Sequence, residues 1–449
     1  MLRSGRDTAK SYTALAAAAL LLTASPNSRA EDQASEPEAS GSISLHLNCL
    51  AKIPIGSLVK GKMALISRSI NGRQQELLCV GGGSDLHVYD ISDPSNPTLL
   101  LKKNFSGDTA HHVNDLFEVI HSGNYLVLTG SYQGGDTPER NPAGPPLQVG
   151  WVLIIDISAE DPTQWKIPEG KAQGRWASFL EDEHSYTCSD VALRGEVGKD
   201  GCLLHVSGNF RRTSLGGNFI LDLSDPGNPR KRGEIRYVKG EANYHGHGIC
   251  VDDRYEYHGN YYRGIYLVDY QDPDNLKVVS DLAYPLPKDA VRQLAVNGDL
   301  LYTTVTVAGR QNYDTGHPGV AIIDVSDRTS PKFFSQTIVP REDMPISGDV
   351  AHDSPPHKIS FFNDKKNLLI NLGSKGLALF DIGTDPEKAV YLGLAELDEV
   401  PRGTRPMAWN DHVWVIGDGP HFVDGGREGT EPQVYLYRWA KGKAKAASH

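Results

Sequence analysis

The most restrictive feature of this sequence is a short pattern that recurs six times. Each copy has three or four apolar residues, an aspartate, one more apolar residue, and usually a turn rich in Ser, Asp and Pro. The aspartates of the six copies are Asp90, Asp156, Asp222, Asp269, Asp324 and Asp381. They are spaced 47 to 66 residues apart. Self-similarity at such a period is typical of repeat architectures, including propellers.

Each repeat divides into four short strands. In the fifth repeat the strands are predicted at 291–296, 300–305, 319–324 and 332–335, and Asn297-Gly298 is a strong hairpin signal. A seventh copy near the C-terminus carries Arg438 in place of the aspartate. One small sheet cannot bury both of its faces, whereas seven sheets packed around an axis can. The sequence therefore predicts an all-β fold, a seven-bladed β-propeller of four-stranded antiparallel blades.

The two ends of the repeat region predict how the ring closes. The last repeat ends at Trp439 and lacks a fourth strand, while residues 44–55 form a strand-like segment before the first full repeat. If this N-terminal strand pairs with the last blade, it removes a free sheet edge. We therefore expect a propeller over residues 43–439, closed by an N-terminal strand, followed by a basic tail at 440–449.

The repeat also resembles a known family. The run from Asp90 to Pro97, Asp-Ile-Ser-Asp-Pro-Ser-Asn-Pro after four residues that are mostly apolar, is similar to the repeat of the LVIVD-repeat family of exported bacterial β-propellers. The resemblance extends over nearly the whole chain after residue 42. It implies a propeller fold and export, and it implies no catalytic residue.

The first thirty residues have the order of a secretory signal peptide. Arg3, Arg6 and Lys10 are basic, residues 13–24 are mostly apolar, and Ser28-Arg29-Ala30 places small residues where a signal peptidase cleaves. Residues 31–42 are rich in Glu, Ser, Ala and Pro and are predicted to be a disordered lead-in. The expected location is secreted or periplasmic.

Charge and cysteine content exclude several protein classes. The formal net charge is −11, which does not favour nucleic-acid binding, because phosphate contacts need clustered Lys and Arg.

No segment reaches the length of about 20 apolar residues that a transmembrane helix requires. Five cysteines at irregular spacing match neither a metal motif nor a disulfide framework, and we interpret most of them as buried core residues.

Candidate functional residues come from aligning the first strands of the repeats by their turns. Arg292, Arg405 and His247 share one position, and His357, Ser189, His111 and Gly61 are assigned to it in the other repeats. The loops between second and third strands, together with the crossings between blades, are predicted to be long, including Lys166 to Thr187. Long loops on one face of a rigid scaffold commonly carry function. We name this surface the long-loop face.

Three interpretations of that face stay open. In the first, the Arg and His side chains only bond neighbouring backbone. In the second, His111, His247 and His357 bind a transition metal, because imidazole suits copper, zinc and iron, and the protein is a metal-dependent enzyme. In the third, the face binds a small ligand, such as a carboxylate or sulfate-like anion, or a protein partner. The ligand residues would then be Arg292, Arg405, Lys358, His112 and His245.

The leader supplies a first testable prediction. Protein purified from its native host should begin at Glu31, because the basic, apolar and small segments occur in the order that export requires. Mass spectrometry of the intact protein and of its N-terminal peptide measures this directly. Soluble protein that retains Met1 would contradict the prediction.

Overall fold

Small antiparallel sheets make up the part of the chain that the computed structural model describes. The described residues are 46–55, 63–70, 72–105, 115–133, 148–170, 173–175, 186–210, 215–237, 246–260, 264–283, 289–307, 318–344, 359–362, 364–372, 375–397, 403–409, 412–417, 421–423, 426–428 and 433–439. Two single 3-10 turns lie wholly within these ranges, Pro162–Gln164 and Arg341–Asp343.

Six blades are formed by four consecutive strands each. Blade 1 contains β2 (Ala64–Ile70), β3 (Arg73–Gly82), β4 (Asp85–Asp90) and β5 (Thr98–Asn104). Blade 2 contains β6 (Asp115–Ser122), β7 (Tyr125–Gln133), β8 (Gln148–Asp156) and β9 (Gln173–Arg175). Blade 3 contains β10 (Tyr186–Arg194), β11 (Leu203–Phe210), β12 (Leu215–Asp222) and β13 (Arg230–Arg236).

The next three blades repeat the same order. Blade 4 contains β14 (Gly246–Val251), β15 (Tyr255–Asn260), β16 (Gly264–Asp269) and β17 (Lys277–Ala283). Blade 5 contains β18 (Asp289–Asn297), β19 (Leu300–Val307), β20 (Gly319–Asp324) and β21 (Lys332–Ile338). Blade 6 contains β22 (Ile359–Phe362), β23 (Asn367–Asn371), β24 (Leu377–Asp381) and β25 (Val390–Leu394).

Blade 7 joins the two ends of the chain, as the sequence predicts. Its four main strands, from the inside outwards, are β27 (Gly403–Trp409), β28 (His412–Gly417), β31 (Gln433–Trp439) and β1 (His46–Pro54). β1 pairs antiparallel with β31, and its first residues also pair with the short β26 (Glu396–Leu397). A separate hairpin of β29 (His421–Val423) and β30 (Gly426–Glu428) lies between β28 and β31 in sequence. The seven-bladed, all-β prediction is confirmed.

The first strand of each blade is the inner strand, and inner strands of successive blades from β2 to β27 lie side by side. Apolar side chains of neighbouring blades pack between the sheets. The cluster between blades 1 and 2, for example, contains Leu77, Val88, Leu126 and Leu153, all at most 2% exposed. These interfaces form the core, because each blade covers the apolar face of the next.

The repeated aspartates stabilise the turns between third and fourth strands. In each repeat the Oδ1 atom accepts a hydrogen bond of 2.8 to 2.9 Å from the backbone N–H two residues later. The six acceptors are Asp90, Asp156, Asp222, Asp269, Asp324 and Asp381. This is the Asx-turn geometry that favours aspartate at the start of a turn. It accounts for the aspartate of the repeat without a bound cation.

One predicted loop is interrupted by a strand. The sequence predicts a single long connection from Lys166 to Thr187, but β9, the fourth strand of blade 2, lies within it. Lys166 itself pairs with Asp156 through two backbone hydrogen bonds of 2.7 and 3.2 Å. The segment 166–170 therefore belongs to the turn side of the blade. The three residues of β9, Gln-Gly-Arg, lack the apolar alternation that identifies a strand in sequence.

The cysteines have the structural role that the sequence predicts. All five are free thiols, and Cys79, Cys188 and Cys202 are buried. Burial raises the pKa of the Cys202 thiol to about 12, so that this group stays a thiol at neutral pH. No helix among the described residues is long and apolar enough to cross a membrane.

Strand β1 provides a second testable prediction. Deleting residues 43–56 should lower the free energy of unfolding by more than about 5 kcal/mol, because it removes the buried Leu47, Ile53 and Ile55 and exposes the edge of β31. Thermal unfolding and size-exclusion chromatography measure the loss of stability and the aggregation. Deletion of residues 31–42 is the control, since it leaves β1 intact. Equal melting temperatures for both truncations would contradict this role.

Candidate functional site

The inner strands share an irregularity at one level of the ring. In blades 2, 3, 4, 5 and 7 the pairing of the first two strands shifts register. The residues inside these β-bulges are Phe117, Ser189, His247 with Gly248, Arg292 with Gln293, and Thr404. A bulge re-aims side chains and is frequent beside functional sites. The five bulges therefore mark a level of the inner strands where the backbone pairing departs from a regular register.

The structure supports part of the sequence alignment at this level. Ser189, His247 and Arg292 occupy bulges, as their shared position requires. Arg405 lies one position away, because the bulge of β27 contains Thr404 and Arg405 pairs with Ile416. In blade 2 the bulge contains Phe117, whereas the alignment assigned this position to His111. Arg292 is five residues before the end of β18 at Asn297, whereas Arg405 is four residues before the end of β27 at Trp409, so the two arginines differ by one position.

The predicted site residues are described to different extents. Arg292 is half-buried on β18. For His247 and Arg405 the structure describes the backbone, within β14 and β27. His111, His112, His245, His357 and Lys358 lie outside the described residues. No three or more His, Cys, Asp or Glu side chains among the described residues are placed to hold a metal ion. The metal site therefore stays a prediction, which elemental analysis of the purified protein can test.

Asp190 connects the inner strands of three blades. Its side chain is fully buried on β10 and accepts hydrogen bonds from the amide Nε2 of Gln293 at 2.6 Å and from the backbone N–H of Ile249 at 3.3 Å. The N–H of Val191 donates to its other oxygen at 3.1 Å. A buried carboxylate is stable only where donors surround it. Asp190 thus fastens blade 3 to blades 4 and 5 beside the bulge that carries Arg292.

Gly248 allows these strands to approach. A Cβ atom at this position would overlap the carbonyl oxygen of Arg292 and lie close to the Cα atom of Gln293. The glycine is therefore required by the close approach of β14 and β18. The bulge of β18 is held by this contact and by the bond from Gln293 to Asp190.

A second group of buried polar side chains lies between blades 3 and 4. His205 Nδ1 is 3.0 Å from Glu256 Oε2, and Asn218 donates to the other oxygen of Glu256. Ser207 Oγ is 2.6 Å from His258 Nε2. All five side chains are 0% exposed. The Ser207–His258 pair resembles a nucleophile and its base, but its burial keeps it from any substrate, so we interpret the group as structural.

Desolvation sets the charge of His258. Burial lowers the pKa of this imidazole to about 4, against the weaker opposing effects of Glu256 and Asp190. The ring is therefore neutral at pH 7. Its Nδ1 atom has no hydrogen-bond partner among the described residues, so a proton added there would find no acceptor.

Sequence reasoning missed this polar group, although a signal was present. In each of blades 1 to 6 the repeat aspartate of the third strand pairs with a residue of the second strand. The next residue of the second strand is leucine in five blades and Glu256 in blade 4. The leucines are Leu78, Leu126, Leu204, Leu301 and Leu368. An ionisable residue at an otherwise apolar repeat position indicates a buried partner, but only the packing of blades 3 and 4 identifies that partner as His205.

Asp190 provides a third testable prediction. Asp190→Ala should destabilise the protein by about 3 kcal/mol, because it leaves the amide of Gln293 and two backbone N–H groups buried without this acceptor. Urea denaturation measures the change. Asp93→Ala is the matched control, since Asp93 also accepts backbone hydrogen bonds but is exposed in a turn. An equal loss in both variants would show that Asp190 has no special structural role.

Comparison with known proteins identifies the repeat. The LVIVD repeat model matches residues 76–104 and 290–337, which cover parts of blades 1 and 5. No curated protein matches the sequence. Among solved structures, Saccharomyces cerevisiae Sqt1 is 12% identical over 89% of this chain and 100% of its own, with a TM-score of 0.49.

A second solved structure, Chaetomium thermophilum Raptor, is 11% identical with a TM-score of 0.52. The match covers 88% of this chain and 30% of Raptor, so this chain spans about a third of that protein. At such low identity the likeness concerns the fold alone. The strand order described above and the match to the LVIVD repeat model show that the chain is a seven-bladed β-propeller carrying LVIVD repeats.

Proposed function

We propose that this propeller is an exported binding module whose long-loop face takes a small anionic ligand carrying a carboxylate or sulfate-like group. The observation that carries the proposal is the bulge of β18, where half-buried Arg292 lies beside the buried bond from Gln293 to Asp190. Because this bond holds the backbone of the bulge in place, the guanidinium of Arg292 loses little conformational entropy when it binds a planar or tetrahedral anion. The fold is compatible with such a role, since propellers present loops around an axis.

The charge of the inner strands supports an anionic ligand. The sequence places Arg292 in β18 of blade 5, Lys358 directly before β22 of blade 6, and Arg405 in β27 of blade 7. The buried acids Glu118 and Asp190 belong to β6 and β10 of blades 2 and 3. Beside the bulges the basic residues therefore come from blades 5 and 7, and the acidic residues from blades 2 and 3. Such a division favours an anion on the basic side.

Export is part of the proposal. The order of the first thirty residues supports secretion or transfer to the periplasm, where a binding propeller would meet ligands outside the cytoplasm. The ligand in that compartment is proposed to be a small anion or, through the same face, an acidic group on a protein partner.

A fourth testable prediction follows from Arg292. Isothermal titration of the chain from residue 31 with sulfate, succinate and citrate, at constant ionic strength, should detect binding of at least one of them. Arg292→Gln should weaken it by about tenfold or more, because a charged hydrogen bond is lost. Arg73→Gln, an exposed arginine at the start of β3, is the control and should bind as the wild type does.

Two outcomes would contradict the proposal. One is the absence of binding for all three anions in the wild-type protein. The other is an equal effect of the Arg292 and Arg73 substitutions, which would indicate a general effect of net charge. Circular dichroism of each variant verifies that the fold is intact.

A further inference from the structure

One interface of the ring differs in composition from the others. Between blades 3 and 4 the buried apolar cluster of the described residues contains only Leu203, Ile220 and Tyr270. The clusters of the other interfaces are larger, as between blades 5 and 6, where Tyr302, Ile322, Leu368 and further residues pack together. The rest of the space between blades 3 and 4 is taken by the polar side chains of His205, Ser207, Asn218, Glu256 and His258. We name this interface the 3–4 seam.

The seam arises from substitutions at apolar repeat positions. β15 carries Glu256 where five blades have leucine. Two residues further, β15 carries His258, where blade 1 has Val80 and blade 6 has Ile370. Alternation along a strand places both side chains on one face, towards His205 and Ser207 of β11. Hydrogen bonds between buried polar side chains therefore hold the 3–4 seam together, whereas the other interfaces between blades are held by the burial of apolar side chains.

The groups around His258 leave it without a direct counter-ion. From β11 it meets Ser207, and the ring of Tyr237, which follows β13, stacks on it with centroids 5.0 Å apart. Glu256, on the same strand as His258, directs its two oxygens to His205 and Asn218. Asp190 of β10 accepts hydrogen bonds from the side chain of Gln293 and the backbone N–H of Ile249. Protonation would thus add an unpaired charge to a dry interface.

We propose that the 3–4 seam is an acid-sensitive joint, where blades 3 and 4 separate before any other pair of blades when the pH falls from neutral to about 5. Opening lets water reach the imidazole of His258, so that the ring takes up a proton and water solvates the imidazolium that forms. Among the described residues, no other interface has such a layer of buried polar side chains around a histidine, and these larger apolar interfaces stay closed. The protein would thereby change shape at a defined place in its ring in an acidic compartment.

The sign of the effect follows from the pKa of His258. Its folded value of about 4 lies below the ordinary value of 6.5, so the closed seam binds fewer protons than the open one between these values. The contribution to stability is present above pH 6.5 and is lost as the pH falls towards 4. At pH 5 the equilibrium constant for opening is expected to be about 30-fold larger than at pH 7.5.

A second contact across the seam makes the opening local and reversible. Arg232 of β13 forms two hydrogen bonds of 2.6 Å with Asp274, which lies between β16 and β17 of blade 4. The hydrogen bond from Arg232 holds the pKa of Asp274 below its usual range, so the pair persists at pH 5. This ion pair keeps blades 3 and 4 connected near the turns between their third and fourth strands while water enters the layer of buried polar side chains.

A fifth testable prediction concerns hydrogen exchange of the full mature chain. Mass spectrometry at pH 7.5 and 5.0, with rates corrected for the intrinsic pH dependence of amide exchange, should show a gain of about 30-fold in the opening of residues 203–208 and 255–260. Peptides from β3 and β7, at the apolar interface of blades 1 and 2, should change little.

Variants identify the responsible group. His258→Gln and His258→Asn should remove the pH response of the seam, because neither side chain titrates in this range. His87→Gln is the matched control, since His87 is also buried with a lowered pKa but lies in blade 1. It should leave the response unchanged.

Either of two results would overturn the proposal. The first is a wild-type profile in which the seam peptides respond no more than those of β3 and β7. The second is a full response in the folded His258 variants. The wild-type profile alone decides where the ring opens, so the test remains decisive even where a variant does not fold.

Discussion

The pairing of β1 with β31 is the interaction on which the rest of the ring depends. A four-stranded blade has two faces to cover, and each blade covers only the near face of its neighbour. A linear row of blades would leave two terminal faces and several sheet edges exposed to water. Because β1 joins the last blade, Leu47 packs between blades 6 and 7, and Ile53 and Ile55 pack between blades 7 and 1. One strand therefore completes two interfaces.

Closure makes every interface dependent on the others, and it permits one of them to be different. The interface of blades 3 and 4 replaces leucine and valine with Glu256 and His258, at a cost in desolvation that its hydrogen bonds only partly offset. The larger apolar clusters elsewhere in the ring stabilise the closed form in which this polar layer stays dry. Asp190 extends the same polar character to the inner strands of blades 4 and 5. The bulge of Arg292 is thus supported by residues from three blades.

Sequence and structure agree best where an interaction is local. The strands of blade 5 begin at or near the predicted residues, and the six repeat aspartates bond the turns that their Ser, Asp and Pro neighbours predict. The agreement is weaker for β9, whose three residues carry no strand signal, and for Arg405, which lies one position from the bulge of its strand. The residue at which a strand ends is set by its pairing with the next strand, so counting from the turn residues of the sequence displaces the position by one.

The amino-acid sequence by itself determined the repeat, the number of blades, the turn chemistry and the closing strand. These features depend on alternation and on side chains that bond backbone atoms a few residues away, and such relations are visible along one chain. Only the tertiary structure decided which buried polar residues face one another. Glu256 is 51 residues from His205, and Gln293 is 103 residues from Asp190. Their partnership depends on how two neighbouring or next-neighbouring sheets are packed around the axis, and that packing follows from the closure of the whole ring.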